Sequence, residues 1–495
     1  MSTLASLADG FAIALTPTNL LFCLAGTFFG TVVGVLPGLG PAAAITILLP
    51  LTFGMDPISA FIMLGGIYYG SQFGGSTTAI LLRMPGESSS IVTTFDGYEM
   101  AKQGRAGAAL AVCAIGSFVA GTIGIVGLML VGPPLAEFAL RFGPPEYFAV
   151  AILGLTALIF IEGGSKLKAL ASATAGFLLA MIGLDPVGGQ NRFTFGQAGL
   201  IDGIDFLVVA MGLFAFAEVL ISLENATRAT PMSVRLTSIW LTWADWLASW
   251  KPMLRGSVLG FALGVLPGPG TIATFASYAT ERKLSRHPER FGKGAIEGVA
   301  GPESANNSDT IARFVPLLAL GIPGSNVTAI LLSAMILHGL TPGPLLFVQA
   351  PDFVWGLIAS MYVGNVMLLI LNLPLVPIFT AITRVPYSLL YPAVLVITMI
   401  GVYTIENSVY QVWLLIGFGV LGYFMRRFNY PVAPLVLALV LGPLVERSLY
   451  RTMTINHGDL SVLFTRPISG TLMAMIGLLL VVPQLYRRYR VRRTA

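Results

Sequence analysis

The chain is short of charge. Only 10% of its 495 residues are Asp, Glu, Lys or Arg, where a soluble globular protein carries about 25%. So few charges cannot cover the surface of a water-soluble chain of this length. Cysteine is nearly absent. Cys23 and Cys113 are the two present, both inside apolar runs, which excludes a disulfide framework or a thiolate metal site and leaves small buried hydrophobes. There is no Gly-x-x-x-x-Gly-Lys-Ser/Thr loop and no His-Glu-x-x-His pair, so neither a nucleotide-driven pump nor a zinc hydrolase is signalled. Nor is there a nucleophile–base pair at membrane depth, so the chain reads as something other than an enzyme. The first ten residues have no Lys or Arg and include Asp9. A cleavable signal peptide is therefore not expected, and the first spans serve as their own insertion signals. The net charge of +5 does not point to nucleic acid, because the basic residues sit in short clusters between apolar runs, as in cytoplasmic loops.

Long apolar runs are what the sequence has in abundance. Hydrophobic residues make up 55% of it, and runs of about 18 or more recur throughout, each a candidate span. The first part reads as Leu20 to Leu36, Ala42 to Phe53, Ile58 to Leu82, Ala106 to Val131, Tyr147 to Ile161, Leu167 to Ile182 and Phe206 to Ile221. The second reads as Gly256 to Ser277, Ile311 to Leu320, Val327 to Leu337, Val354 to Phe379, Tyr387 to Tyr403, Val412 to Phe424, Val432 to Val445 and Thr471 to Val482. The expected fold is all-α and polytopic, with about 11–14 transmembrane or re-entrant helices. Residues 1–223 form a first membrane repeat, 224–255 a connecting loop, 256–445 a second repeat, and 446–495 a final span with a basic tail. In the connecting loop Trp240, Trp243, Trp246 and Trp250 recur at helical spacing, which suits an interfacial helix. The tail cluster Arg487, Arg488, Arg490, Arg492 and Arg493 places the C-terminus in the cytoplasm. Arg426 and Arg427 agree with that orientation, whereas Arg447, Arg451 and Arg466 fall on the other side.

The halves resemble each other. Gly34-Val35-Leu36-Pro37-Gly38-Leu39-Gly40 recurs as Gly264-Val265-Leu266-Pro267-Gly268-Pro269-Gly270. The small and polar run Gly70 to Thr78 has a counterpart in Gly301 to Thr310, and Met84-Pro85-Gly86-Glu87-Ser88 in Ile322-Pro323-Gly324-Ser325-Asn326. Three matches in the same order are poorly explained by chance. Pro removes a backbone donor and Gly permits φ > 0, so each Pro-Gly pair predicts a broken helix or hairpin. Irregular backbone survives in hydrocarbon only where it is buried in protein or lines a wet cavity. Duplicated breaks are thus a pointer to a secondary transporter's binding site, the alternative being kinks needed for packing alone. The helix-break residues are Pro37, Gly38, Pro267 and Gly268.

Polar residues beside the breaks supply the candidate site. Ser76, Thr77, Pro85, Gly86, Glu87, Ser88, Pro323, Gly324, Ser325, Asn326 and Thr328 are candidates for binding substrate, with hydroxyl and amide donors beside half-helix N-termini. Asn306, Asn307, Ser308 and Asp309 offer the oxygen ligands that suit a hard cation such as sodium, or a proton site at Asp309. Asp309 reads equally as a helix N-cap. Glu87 can help bind a cation, set a gate or cap a loop. Arg83 pairs with a carboxylate or snorkels to the interface. His338 reads as structural or interfacial. Asp96, Glu99, Lys102 and Arg105 read as a solvated mixed-charge loop.

These motifs resemble the large membrane subunit of tripartite tricarboxylate transporters. The resemblance is carried by the turns at Pro37 and Pro267, the run Gly70 to Thr78, Arg83 to Glu87, Gly301 to Asn307 and Gly321 to Ser325, and it covers about Leu20 to Val445. It implies a permease subunit in a bacterial inner membrane, working with a small membrane subunit and a periplasmic solute-binding protein. It also implies import of citrate or a related organic anion by symport with a cation, usually Na+, as coupling ion. An ion channel, or a stand-alone carrier of another small solute, is the alternative.

Overall fold

The computed structural model describes residues 3–36, 39–161, 165–185, 188–224, 240–375 and 387–494. The helix-break residues Pro37 and Gly38 lie outside the described residues, as does most of the connecting loop before Trp240. The described chain is almost entirely helical: α1 (Thr3–Ala14), α2 (Pro17–Val35), α3 (Gly40–Leu48), α4 (Pro57–Leu82), α5 (Thr93–Lys102), α6 (Ala106–Ala139), α7 (Pro144–Ile161), α8 (Lys166–Ala180), α9 (Phe206–Glu224), α10 (Trp243–Gly264), α11 (Thr271–Leu284), α12 (Glu297–Ala312), α13 (Phe314–Leu320), α14 (Asn326–Leu337), α15 (Pro351–Asn372), α16 (Tyr387–Glu406), α17 (Val409–Arg427), α18 (Val432–Ile455) and α19 (Pro467–Thr494). Six of these, α2, α6, α9, α15, α17 and α18, are long and apolar enough to cross a membrane. The protein is thus an all-α, multi-pass membrane protein. A two-stranded ribbon pairs Gly183–Leu184 with Asn191–Arg192.

Two helix pairs organise the interior. In the first half α2 packs along α4, and in the second α10 packs along α12. Both contacts run on glycine. Gly26, Gly30 and Gly34 of α2 lie directly against the backbone of Met63, Ile67 and Ser71. Gly256, Gly260 and Gly264 of α10 meet Gly301, Ala305 and Asp309 in the same manner. Small residues every fourth position let two helix backbones touch, which is how helices associate where lipid supplies no hydrophobic drive. A methyl group at any of these six positions would overlap a neighbouring backbone atom.

This contact fixes the register of the repeat. Met63, Ile67 and Ser71 take the places of Gly301, Ala305 and Asp309. The same spacing relates Arg83 to Gly321, left-handed helix-ending residues with φ of 57° and 68°. Gly70 is therefore equivalent to Ser308, and the match of Gly70 with Gly301 drawn from composition is two helical turns out. Both runs are rich in small polar residues, so composition alone aligns them in either register.

Helix α4 and the α12–α13 segment form the centre. Every residue from Ser59 to Leu81 is buried except Met63, and so is every residue from Gly298 to Ala319. A helix covered on all sides belongs in a core. The polar run Gly301 to Thr310 is thereby turned onto the protein interior and not onto lipid.

Several expectations change. Gly256 to Ser277 is not one span: α10 ends at Gly264 and α11 starts at Thr271, with the Pro267-Gly268 break between them. Trp243, Trp246 and Trp250 lie on the opening turns of α10, so the Trp-rich segment and the apolar run after it are one helix that passes through the boundary at 255. Asp96 is not solvated. It is fully buried, and its carboxylate accepts from the N–H groups of Gly292, Gly294 and Ala295 at 2.9, 2.8 and 2.8 Å and from the Tyr278 hydroxyl at 2.9 Å. Gly292 and Gly294 adopt φ of +79° and +99°, which lets neighbouring N–H groups converge on one oxygen. Arg105 pairs with Asp245, a second tie between the halves.

Candidate functional site

The chain breaks meet at one cavity. It has a volume of about 460 Å³ and is lined by Leu39–Ala43, Pro85–Ser89, Gly268–Gly270 and Ser325–Val327. Each segment comes from a different break, two from each half. Tyr68, Gln72, Asp309, Thr310 and Arg313 complete the wall on the central helices, and Glu218 and Arg426 pair with each other at its edge. Helices α3, α11 and α14 all begin at this cavity, at Gly40, Thr271 and Asn326. Free first-turn N–H groups and the helix dipole make such ends favourable to anions. Among the described residues no side chain caps α3 or α11, and of the opening N–H groups of α11 that of Ile272 is taken by the Pro269 carbonyl. Ser325 caps α14 and exchanges hydrogen bonds with Thr328.

The second-half breaks are joined by Arg313. Its guanidinium donates to both oxygens of Asp309, at 2.8 and 2.9 Å, and to the carbonyls of Gly268 and Gly324, at 2.6 and 2.7 Å. The Gly268 N–H also donates to the Gly324 carbonyl at 3.0 Å. Both charged side chains are buried, at 3% and 4% exposure. Pro-Gly breaks strip carbonyls of their helical partners, and a five-donor planar group is suited to satisfy several at once. Asp309 is therefore neither an N-cap nor a free carboxylate. It lies in the last turn of α12 and serves to hold Arg313.

Two further carboxylates near this centre, Glu87 and Glu303, have no basic partner among the described residues. Glu87 accepts from the Asn306 amide at 3.0 Å and from the Ser89 hydroxyl at 3.3 Å. Glu303 has no exposed surface, and among the described residues it accepts from the hydroxyls of Ser76 and Thr93.

The sequence model of the tripartite tricarboxylate transporter TctA family matches residues 20–437. The chain belongs to that family. All four breaks lie within the matched residues. The chain is 49% identical over 494 residues to a protein of Agrobacterium vitis described as "Uncharacterized 52.8 kDa protein in TAR-I ttuC' 3'region", an alignment covering 100% of this chain and 98% of the relative. It is 47% identical over 235 residues to another from Agrobacterium vitis, "Uncharacterized protein in TAR-II ttuC' 3'region", across 47% of this chain and 97% of that one. No solved structure matches. As a TctA-family member the protein is a subunit of a tricarboxylate transporter, the large subunit of a tripartite system that implies two further components.

Within this TctA-family chain the candidate residues separate. Pro85, Gly86, Glu87, Ser88, Ser325, Asn326, Asp309 and Gly268 line the cavity. Ser76 and Thr77 do not. They face a much smaller space with Phe73, Leu110, Cys113, Ala114, Ser117 and Asn372. Asn307 points the same way, donating to Ser117 at 2.7 Å and to the Glu303 carbonyl at 3.1 Å. Asn306, Asn307, Ser308 and Asp309 are consecutive residues of one helix, so they project to different sides and cannot surround one ion. Thr328 is engaged in the α14 cap, and Pro323 is outside the lining. The two turn glycines also differ. A Cβ on Gly86 would overlap the Gly34 carbonyl and the Gly75 Cα, whereas one on Gly324 would meet its nearest neighbours at 3.9 Å. Arg83 is exposed and lies 5.5 Å from the Tyr98 ring centroid, away from the cavity. His338 contacts Thr52 at 3.1 Å and the edge of Phe61.

Gln72, Glu303 and Arg313 were not singled out by the sequence. Arg313 did carry a signal, since it interrupts the apolar run Ile311 to Leu320 four residues after Asp309. An arginine in that place needs a buried partner or an exit to water.

Proposed function

We propose that this chain is the translocating permease of a tripartite, binding-protein-dependent secondary transporter that imports a tricarboxylate or related organic anion together with a cation, Na+ or H+. The observation that carries this reading is the convergence of four chain breaks and three helix N-termini on a single cavity. Neutral donors and helix ends are adequate to hold a carboxylate. Among the described residues the cavity offers no unpaired cationic side chain, since Arg313 and Arg426 are both engaged by carboxylates. Glu87 sits there as well. An anionic guest beside a carboxylate at membrane depth is repelled unless a cation enters with it, which favours coupled symport over passive release.

The partners in this reading are a small membrane subunit and a periplasmic solute-binding protein that delivers the anion to the open side of the cavity. The setting is a bacterial inner membrane, with the Arg-rich end of α19 in the cytoplasm. The test is uptake of labelled citrate into proteoliposomes holding the chain and its two partners, with and without an inward sodium gradient. Sodium-driven, binding-protein-dependent uptake is expected. Flux that ignores both would instead fit a channel or a stand-alone carrier.

A further inference from the structure

We infer that the coupling cation is a hard monovalent metal ion of the sodium class, bound at Glu87 by its carboxylate and the free amide oxygens of Asn306 and Gln72. This inference rests on the symport reading above and gives it a place. It moves the ion from the stretch Asn306 to Asp309 to a site assembled from three elements.

Three observations support it. First, charge is out of balance in the interior. Among the described residues neither Glu87 nor Glu303 has an ion pair, their partners being amide and hydroxyl groups, and all four of Arg313's hydrogen bonds go to Asp309, Gly268 and Gly324. A carboxylate held away from water without a basic partner is costly, so the buried Glu303 and the half-buried Glu87 together call for a positive charge. Second, two acceptors beside Glu87 have no donor. Asn306 is 1% exposed and Gln72 2% exposed, and Asn306 Oδ1 and Gln72 Oε1 are both buried without a hydrogen-bond partner. The Asn306 Nδ2 atom donates to Glu87, so the two side chains adjoin, and Gln72 lines the same cavity as Glu87. Buried acceptors left unpaired are rare and need an explanation. Third, the ligand set is all oxygen, which suits sodium-class ions and not transition metals. A proton would neutralise one carboxylate and supply a single O–H donor, which leaves at least one of the two amide oxygens orphaned. A metal ion satisfies the carboxylate and the amides together.

The arrangement also provides coupling. Glu87, with Pro85 and Gly86, belongs to a first-half break lining the substrate cavity, while Asn306 sits on α12 of the second half. An ion at this point ties the two halves and offsets the negative charge beside which the anion must bind.

The test measures sodium binding to the purified full-length chain in detergent, read as the half-saturating NaCl concentration that raises its thermal unfolding midpoint, with choline chloride keeping ionic strength constant. Wild type is expected to show a saturable sodium-specific rise. Glu87→Gln and Asn306→Ala are each expected to weaken half-saturation tenfold or more, while Gln72→Glu, which keeps an oxygen in place, retains the response. If Glu87→Gln does not fold, Asn306→Ala and Gln72→Leu carry the comparison. Wild-type half-saturation in these variants would overturn the site. A wild type that responds to pH and not to sodium would overturn it in favour of a proton. Wild-type proteoliposome uptake separates the two readings: sodium-driven uptake with unchanged variants refutes this site alone, and sodium-independent uptake refutes the coupling on which it rests.

Discussion

Replacing Arg313 with Ala should destabilise the protein more than any other single change at the cavity. The substitution leaves Asp309 as a buried carboxylate with no partner and frees the carbonyls of Gly268 and Gly324. Breaking a buried ion pair from one side typically costs about 3–5 kcal/mol, and each orphaned buried carbonyl adds about 1–3 kcal/mol where water cannot reach it. The Gly268 N–H still reaches the Gly324 carbonyl and keeps it paired, so the expected loss is about 4 kcal/mol, within the range for breaking the ion pair. Arg313→Lys keeps the charge but not the planar fork and is expected to recover less than half. The double change Asp309→Leu with Arg313→Leu removes both charges, so it should restore much of the stability and none of the transport, because the two breaks are no longer joined. Denaturant titration of the purified protein in mixed micelles gives the stability order, and proteoliposome uptake gives the function. An Arg313→Ala variant within about 0.5 kcal/mol of wild type and active in uptake would refute the assignment of this residue as the clamp between the turns.

The remaining predictions concern close packing and the tie between halves. Gly86→Ala should abolish uptake and lower folded yield, because the added methyl meets the Gly34 carbonyl and Gly75, whereas Gly324→Ala should keep most of the activity, its nearest contacts being at 3.9 Å. Equal loss in both would place the constraint in turn flexibility and not in space. Asp96→Ala removes an acceptor used by three backbone N–H groups and the Tyr278 hydroxyl. It should cost about 3 kcal/mol or more, given roughly 1.5–3 kcal/mol for a hydrogen bond to a charged group, and should raise proteolysis of the 287–295 loop. Unchanged protease resistance would contradict that role.

Much of the site was legible because its signals are local and expensive. A Pro-Gly pair inside an apolar run cannot remain helical, and broken backbone in lipid must line a cavity or be buried in protein. The turns Pro85-Gly86 and Gly268, and Ser325-Asn326 after Pro323-Gly324, were therefore readable as breaks at a cavity. The register of the repeat was not. It depends on which glycines touch which backbone, and Gly26, Gly30 and Gly34 look like any small residues until their equivalents Gly256, Gly260 and Gly264 are set against α12. The roles of Asp309, Glu303 and Asp96 were hidden for a related reason. Each is decided by a partner brought close by folding: the Gly268 turn through Arg313, Ser76 and Thr93 for Glu303, and the loop 292–295 for Asp96. A carboxylate in a polar run looks solvated in sequence, and only the surrounding helices show that it is not.

The claim on which the account rests is that breaks from both halves wall one aqueous cavity. Cysteine labelling tests it most directly, because Cys23 and Cys113 are buried and contribute little background. Ala42→Cys, Ser88→Cys, Gly270→Cys and Asn326→Cys should each react with a small hydrophilic thiol reagent, and the pair Ser88→Cys with Asn326→Cys should be joined by a short bifunctional reagent. Four unreactive positions, or a reactive pair that no short reagent can bridge, would show that the breaks do not share a cavity.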